Sequence, residues 1–331
     1  MQRVVQNAFE LNQKEKNRFL QVLGSGSGSV HFHAYIIEGA YGVGKTDFAL
    51  FCAAAILCRK PDRPCMACNS CMKVFSQAYP DLHFYGGESE KPITMKEVRE
   101  LISSSILLPN DGDKKIYIIK QAHKMRSDTQ NALLKIFEEP PQSVIIFLLT
   151  EKKEALLPTI LSRGRLITLT GENDEIIKFL LEKKHKTASS DEIRAAVTAA
   201  DGSIGQAELF ISKESRESRK KALELLDLLF EGGKFDFYDR IISSKITREK
   251  LLDLLELLQR LFTDILEYKY GCRSLVILNA KEAEKYTSSL TKKAISQINE
   301  SITDCKTTIE QSGNLNAAIT NLSIRLWTHK G

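Results

Sequence analysis

Three short apolar runs punctuate the first half of the chain. Ala34 to Gly39 (Ala-Tyr-Ile-Ile-Glu-Gly) ends at a glycine, whereas Lys115 to Ile119 and Val144 to Leu149 are β-branched and bracketed by polar or turn residues. Such runs, lacking polar alternation, fit strands covered on both faces. Asp47 to Leu57 is alanine-rich and Ser127 to Glu139 is closed by Pro140-Pro141, so both predict helices. Strands alternating with helices over the first 170 residues predict an α/β domain with a parallel sheet and flanking helices.

After Thr170 the β-branched runs stop. The rest predicts helices over Asp174–Lys184, Ser190–Ala200, Ser203–Ile211, Arg216–Phe230, Arg248–Tyr270 and, with breaks, Ala280–Thr328. Leu254, Leu255, Leu258, Leu261, Phe262 and Ile265 recur at the spacing of an amphipathic helix, which makes them core rather than a cofactor box. Lys213 to Lys221 holds five basic residues and no large apolar one. It is either a junction between helical parts or the exposed start of the next helix. The expected division is 1–170, 171–213 and 214–331.

Composition narrows the class without naming it. The 331 residues are 43% hydrophobic and 27% charged, with 8 prolines and 18 glycines, an ordinary globular mixture. Forty-seven basic residues against 42 acidic ones give a net charge of +5, which permits a nucleic-acid partner without demanding one. Met1 to Leu20 lacks the apolar stretch of a secretory signal and no window reads as a membrane span, so a cytoplasmic protein with no membrane partner is expected.

Gly39-Ala40-Tyr41-Gly42-Val43-Gly44-Lys45-Thr46, followed by Asp47, satisfies G-x-x-x-x-G-K-[ST] between a strand and a helix. Glycines let successive N–H groups curl around phosphate oxygens, the helix aims its positive end at them, Lys45 reaches the terminal phosphates and Thr46 offers its hydroxyl to magnesium. An ordinary glycine-rich turn explains this spacing poorly, and ATP or ADP with Mg2+ is the expected ligand. Hydrolysis needs acidic residues at the end of a neighbouring strand. Ile116 to Ile119 is instead followed by Lys120-Gln121-Ala122-His123, so binding with little or no turnover is expected. Glu38, Asp47 and Asp128 are the nearest acidic residues, and none stands at the end of that strand.

Cys58, Cys65, Cys68 and Cys71 are spaced C-x6-C-x2-C-x2-C. Four thiolates fill a tetrahedral Zn2+ and leave no position for water, so the implied site is structural. The bland alternative is four unrelated thiols at a helix end. Cys52, Cys272 and Cys305 lie in apolar surroundings and read as core thiols.

Together these stretches resemble the AAA+ subunits of the bacterial DNA polymerase III clamp loader, the delta-prime type most closely. His33 to the P-loop, the cysteine cluster, Tyr79-Pro-Asp-Leu82, Ile93 to Leu101, Lys115 to Met125, Asn131 to Pro141 and Leu157 to Arg163 follow that family's order. Asp201-Gly-Ser-Ile-Gly205 and Asn314-Leu-Asn316 extend the resemblance weakly into the helical half. It implies an AAA+ P-loop domain with a zinc-binding insertion at 58–71, a helical lid and a helical collar. It also implies that Thr150 stands at the sensor-1 position and that Arg163 is an arginine finger reaching a neighbouring subunit's ATP site. Ala40 departs from the family's proline, Gly164 from its Ser-Arg-Cys cysteine, and the first cysteine gap of six from its more usual eight. Lys120-Gln121 replaces the acidic pair, and Gly205 stands where motor subunits carry the sensor-2 arginine.

The implied role is a mostly non-hydrolysing stator in a hetero-pentamer with motor (gamma/tau) and delta subunits, meeting the sliding clamp and primer-template DNA through the assembled complex. The competing reading is a hydrolytically active gamma/tau-like ATPase. A free-standing zinc-containing DNA-binding module is weaker, because basic and aromatic residues are not interleaved in a stacking platform.

Overall fold

The apolar runs do become central strands. The computed structural model describes residues 10–24, 32–87, 91–233, 235–244, 246–272, 275–311 and 313–330; residues 1–9, part of the Met1–Leu20 stretch read above, lie outside them. Strands β1 (Ala34–Glu38), β2 (Leu82–Tyr85), β3 (Lys115–Ile119), β4 (Val144–Thr150) and β5 (Arg165–Thr168) form one sheet in the order β2-β3-β4-β1-β5. Every pairing is parallel. All strands therefore end on one edge, where β1 leads into the P-loop and β3 into Lys120.

Helices α1 (Gln13–Gly24), α2 (Lys45–Leu57), α3 (Asn69–Phe75), α4 (Met95–Ser105), α5 (Ser127–Glu138) and α6 (Pro158–Leu161) accompany the sheet. One face packs Ile37, Ile116, Ile118 and Phe147 against Phe48, Phe51 and Cys52 of α2; the other packs Ile36, Tyr117 and Ile146 against Val98, Leu101, Leu133 and Phe137. Burial on both sides is why Ile116–Ile119 of β3 and Val144–Leu149 of β4 run without a charged residue. Each buried Ile or Phe contributes about 1.5–3 kcal/mol.

The remaining helices are α7 (Asp174–Lys184), α8 (Ser190–Ala200), α9 (Ile204–Ile211), α10 (Lys213–Glu231), α11 (Asp236–Ser243), α12 (Arg248–Lys269), α13 (Ala280–Thr287), α14 (Lys292–Glu310) and α15 (Leu315–Lys330). The chain packs as two compact units: Met1–Lys184 with Asp201–Gln206, and His185–Ala200 with Ala207–Gly331. The leucine stripe of α12 is buried in the core of the second. The basic stretch Lys213–Lys221 is helical, the first turns of α10, capped by Ser212 accepting from the Ser215 N–H. Cys52 and Cys305 are buried as expected, but Cys272 is exposed. It follows the end of α12 at Gly271, whose positive φ turns the chain away from the core that the apolar neighbours suggested.

One polar residue organises the core of the second unit. Asp264 on α12 is fully buried and accepts from the N–H groups of Val276 (3.2 Å), Ile277 (2.6 Å) and Leu278 (3.0 Å), with Arg260 3.2 Å away. Asp264→Ala leaves those buried donors without an acceptor, and we expect a loss of about 3–5 kcal/mol in urea unfolding, whereas Asp253→Ala on the same helix should be near neutral.

Candidate functional site

The P-loop turns because Gly42 (φ 77°) and Gly44 (φ 90°) adopt left-handed backbone that side chains disfavour. What fixes the turn is the pairing of its carbonyls. Lys45 Nζ donates to the Gly39 and Ala40 oxygens at 2.8 and 2.7 Å, Ser203 Oγ to Tyr41 O at 2.8 Å, the Gly205 N–H to Gly42 O at 3.0 Å, and Asn12 Nδ2 to Val43 O at 3.0 Å. With its oxygens held, the loop leaves its N–H groups as the polar surface a phosphate can meet. Asn12 is itself fixed, its N–H donating to Glu172.

Gly205 is more than a missing arginine. A Cβ built at 205 would lie 2.6 Å from the Gly42 Cα, and one at 42 would lie 2.4 Å from Ser203 Oγ. The start of α9 therefore rests directly on the loop, backbone against backbone. Asn12 and Ser203 escaped the sequence reading. Ser203 lies inside the Asp201–Gly205 stretch, where attention fell on the glycine, while nothing around Asn12 marks it.

The end of β3 carries no carboxylate. Lys120 donates its N–H to Tyr85 O at 2.8 Å and holds its ammonium 5.1 Å from the Phe84 ring centre. Gln121 follows in a left-handed conformation (φ 51°). Two residues on, His123 Nδ1 accepts from the Glu151 N–H at 3.2 Å, and burial pulls its pKa below the ordinary imidazole range against the pull of Glu151. Burial likewise lowers the Lys45 ammonium, with Glu151 opposing. Burial raises Asp47 to about 6, with Lys16, Lys184 and Lys120 acting the other way. Glu38 is taken up by the Lys153 N–H (3.2 Å), Lys153 Nζ (3.4 Å) and the Thr168 hydroxyl (3.3 Å). The loop's N–H groups suit a phosphate, whereas an ammonium and a carboxamide at the end of β3 do not suit a carboxylate-held magnesium.

Thr150 lies at the end of β4 beside Glu38, but its hydroxyl donates to Lys152 O (3.0 Å) and accepts from the Lys152 N–H (3.2 Å). Arg163, just beyond α6, is half-exposed: it donates to Thr159 O at 3.1 Å and pairs with Glu138 at 3.0 Å. That ion pair joins the Asn131–Pro141 stretch to the Leu157–Arg163 stretch. Gly164 fits where a Cβ would meet Ile36 Cδ1 at 2.7 Å, so β1 packs closely under the arginine's turn.

The four clustered cysteines converge, all sulfurs lying within 4.8 Å of one another. Cys58 and Cys68 Sγ are 3.8 Å apart, and the edge of a sulfur tetrahedron around zinc is about 3.8 Å. The Cys68 and Cys71 N–H groups donate to Cys65 and Cys68 sulfurs at 3.3 and 3.5 Å. Main-chain N–H groups of Ala67 and Cys68 hold the Cys65 thiol down to about 6, whereas burial pushes Cys71 up. The donor set fits a four-thiolate zinc.

Sheet order, P-loop and trailing helices define an AAA+ P-loop protein of the clamp-loader class. A DNA polymerase III gamma subunit-related protein from Thermotoga maritima shares the fold over 96% of this chain and 100% of its own, with a TM-score of 0.51 at 16% identity. A family model described as DNA polymerase III, delta subunit, matches residues 13–173. The Bacillus subtilis DNA polymerase III subunit delta' is 31% identical over 249 residues, 72% of this chain and 73% of its own length. The corresponding Pseudomonas aeruginosa subunit is 34% identical over 141 residues, 42% and 43% of the two chains, and the Escherichia coli tau subunit 31% identical over 190, 56% and 29%. The chain belongs to the delta-prime family of DNA polymerase III clamp-loader subunits.

The packing of α9 on the P-loop makes a prediction of unusual sign. Gly→Ala in a helix ordinarily stabilises by up to about 1 kcal/mol. Gly205→Ala is expected instead to destabilise by about 1–3 kcal/mol, read as a fall in thermal unfolding temperature, because its methyl overlaps Gly42.

Proposed function

We propose that the chain is a mostly non-hydrolysing stator of a clamp loader, which helps load the sliding clamp onto primed DNA in replication and supplies Arg163 to the ATP site of a neighbouring gamma/tau-type subunit. The observation that carries this reading is the end of β3, where Lys120 and Gln121 stand in place of metal-holding and water-activating carboxylates. A subunit built this way contributes to turnover through what it presents to others. Its gamma, tau and delta-prime relatives supply the kind of partners it assembles with, and the collar, 214–331 in the proposed three-part division, the surface for doing so.

Arg163 suits the role energetically. Its pair with Glu138 is half-exposed, and exposed ion pairs are worth about 0–1 kcal/mol, so a neighbour's phosphates readily outcompete it. Thr150 keeps the sensor-1 place, although its hydroxyl is turned to the main chain. Cys58, Cys65, Cys68 and Cys71 take one structural zinc that closes the loop between α2 and α3.

Arg163→Ala should lower the DNA-stimulated ATPase rate of the reconstituted complex by about tenfold or more while the complex still elutes as a pentamer; an unchanged rate refutes the trans role. Turnover by the isolated chain that is lost in Lys45→Ala would favour the motor-type reading instead. Metal analysis should find one zinc per chain, and Cys68→Ser should reduce that content and lower the melting temperature.

A further inference from the structure

A nucleotide triphosphate or diphosphate in a P-loop ordinarily arrives with magnesium, because several phosphate charges must be neutralised at close range. The ion is held by the loop's hydroxyl residue and by an acid at the end of another strand of the same sheet. This chain keeps Thr46 and places a lysine on the strand.

Lys120 is not a loosely swinging surface residue. Its main chain is tied to Tyr85, its ammonium stands 5.1 Å from the Phe84 ring centre, and Gly87 lies so close that a Cβ there would fall 2.7 Å from Lys120 Cδ. Phe84 and Ile118 belong to the core on the α2 face of the sheet, so the Lys120 side chain leaves the strand on the face where the P-loop helix begins. Asp47, one residue past Thr46, lies within electrostatic reach of Lys120, Lys16 and Lys184.

Two of the nearby carboxylates are taken up by other groups. Glu38 is bound by Lys153 and Thr168, and Glu172 accepts from Asn12. Glu151 lies 4.0 Å from the His123 ring and within electrostatic reach of Lys45. The charges within electrostatic reach of Asp47 are the ammonium groups of Lys16, Lys184 and Lys120, and Lys45 stands within reach of Glu151, a setting that favours an anion over a divalent cation.

We propose that this P-loop binds nucleoside di- and triphosphates as the metal-free anions, the Lys120 ammonium occupying the electrostatic role of magnesium. Lys45, now on the carbonyls of Gly39 and Ala40, exchanges those neutral acceptors for phosphate oxygens. The fixed ammonium neutralises charge without activating water, so bound nucleotide persists as a structural ligand of the stator. The inference rests on reading Gly39–Thr46 as a nucleotide-binding P-loop, as expected from its sequence, and is independent of Arg163.

The test is isothermal titration of the full-length chain with ADP and with ATP, in metal-depleted buffer and again with millimolar magnesium. Depletion by resin rather than a strong chelator leaves the cysteine site intact. The wild-type dissociation constants should agree within about threefold between the two buffers. Lys120→Ala should weaken metal-free binding by about tenfold or more, Lys120→Arg should preserve it, and Lys120→Asp should bind appreciably only with magnesium. Circular dichroism melting of each variant separates lost binding from lost folding, and Lys120→Arg keeps the comparison open should the alanine variant unfold. Tenfold tighter binding with magnesium in the wild type, or unchanged metal-free affinity in a folded Lys120→Ala, overturns the proposal and leaves the nucleotide site standing. No binding in either buffer overturns the proposal and the nucleotide site together.

Discussion

The shape of the P-loop depends on where the carbonyl oxygens of one turn are sent. From Gly39 to Val43, five consecutive oxygens accept from Lys45, Lys45 again, Ser203, Gly205 and Asn12. A loop can present successive N–H groups to an anion only if the matching oxygens are satisfied behind it, since a buried unpaired carbonyl costs about 1–3 kcal/mol. The donors come from Asn12 ahead of α1, from the helix that follows the loop, and from the start of α9. The P-loop is thus a shape imposed by three separated parts of the chain, with the glycines supplying only permission to adopt it.

The sheet sets the stage for that turn. An all-parallel order β2-β3-β4-β1-β5 brings the ends of β1, β3 and β4 to one edge, where Glu38 and Thr150 are register partners and Lys120 follows β3 on the other side of β4. Substituting the residue at a strand end changes chemistry without touching the core, because burial ends where the strand does. Ile119 is fully buried and Lys120, the next residue, is not. This is how an AAA+ framework can stay intact while the residues at its strand ends vary.

The central strands were legible because both faces of each are covered, which leaves an uninterrupted apolar run at β1, β3 and β4. The edge strands were not. β2 (Leu-His-Phe-Tyr) and β5 (Arg-Leu-Ile-Thr) each have one neighbour, and β5 alternates between partly covered and exposed positions, so neither shows the pattern of a buried strand. Helix α1 was missed for a different reason: its buried side includes Lys16, whose ammonium donates to Leu11 O and lies over the Phe51 ring, where periodicity looks for an apolar residue. α4 could have been read from Thr94 and Glu97, a capping box that the structure forms in full. The cysteine ligands and the P-loop were legible residue by residue, because their chemistry depends on local spacing. Asn12 and Ser203 were not, because their roles exist only once the chain is folded.

Gly205 shows why the losses at this site belong together. An arginine there would need a Cβ at a point 2.6 Å from the Gly42 Cα, so the direct hydrogen bond from the Gly205 N–H to the loop and the presence of a side chain at 205 are mutually exclusive in this arrangement. Glycine at 205 thus allows a fixed backbone contact where a side chain would need clearance between helix and loop. At the end of β3 the Lys120 ammonium is likewise held in place, over the Phe84 ring. Both contacts hold the surroundings of the loop in one arrangement, which is what keeping the carbonyls of this turn paired requires.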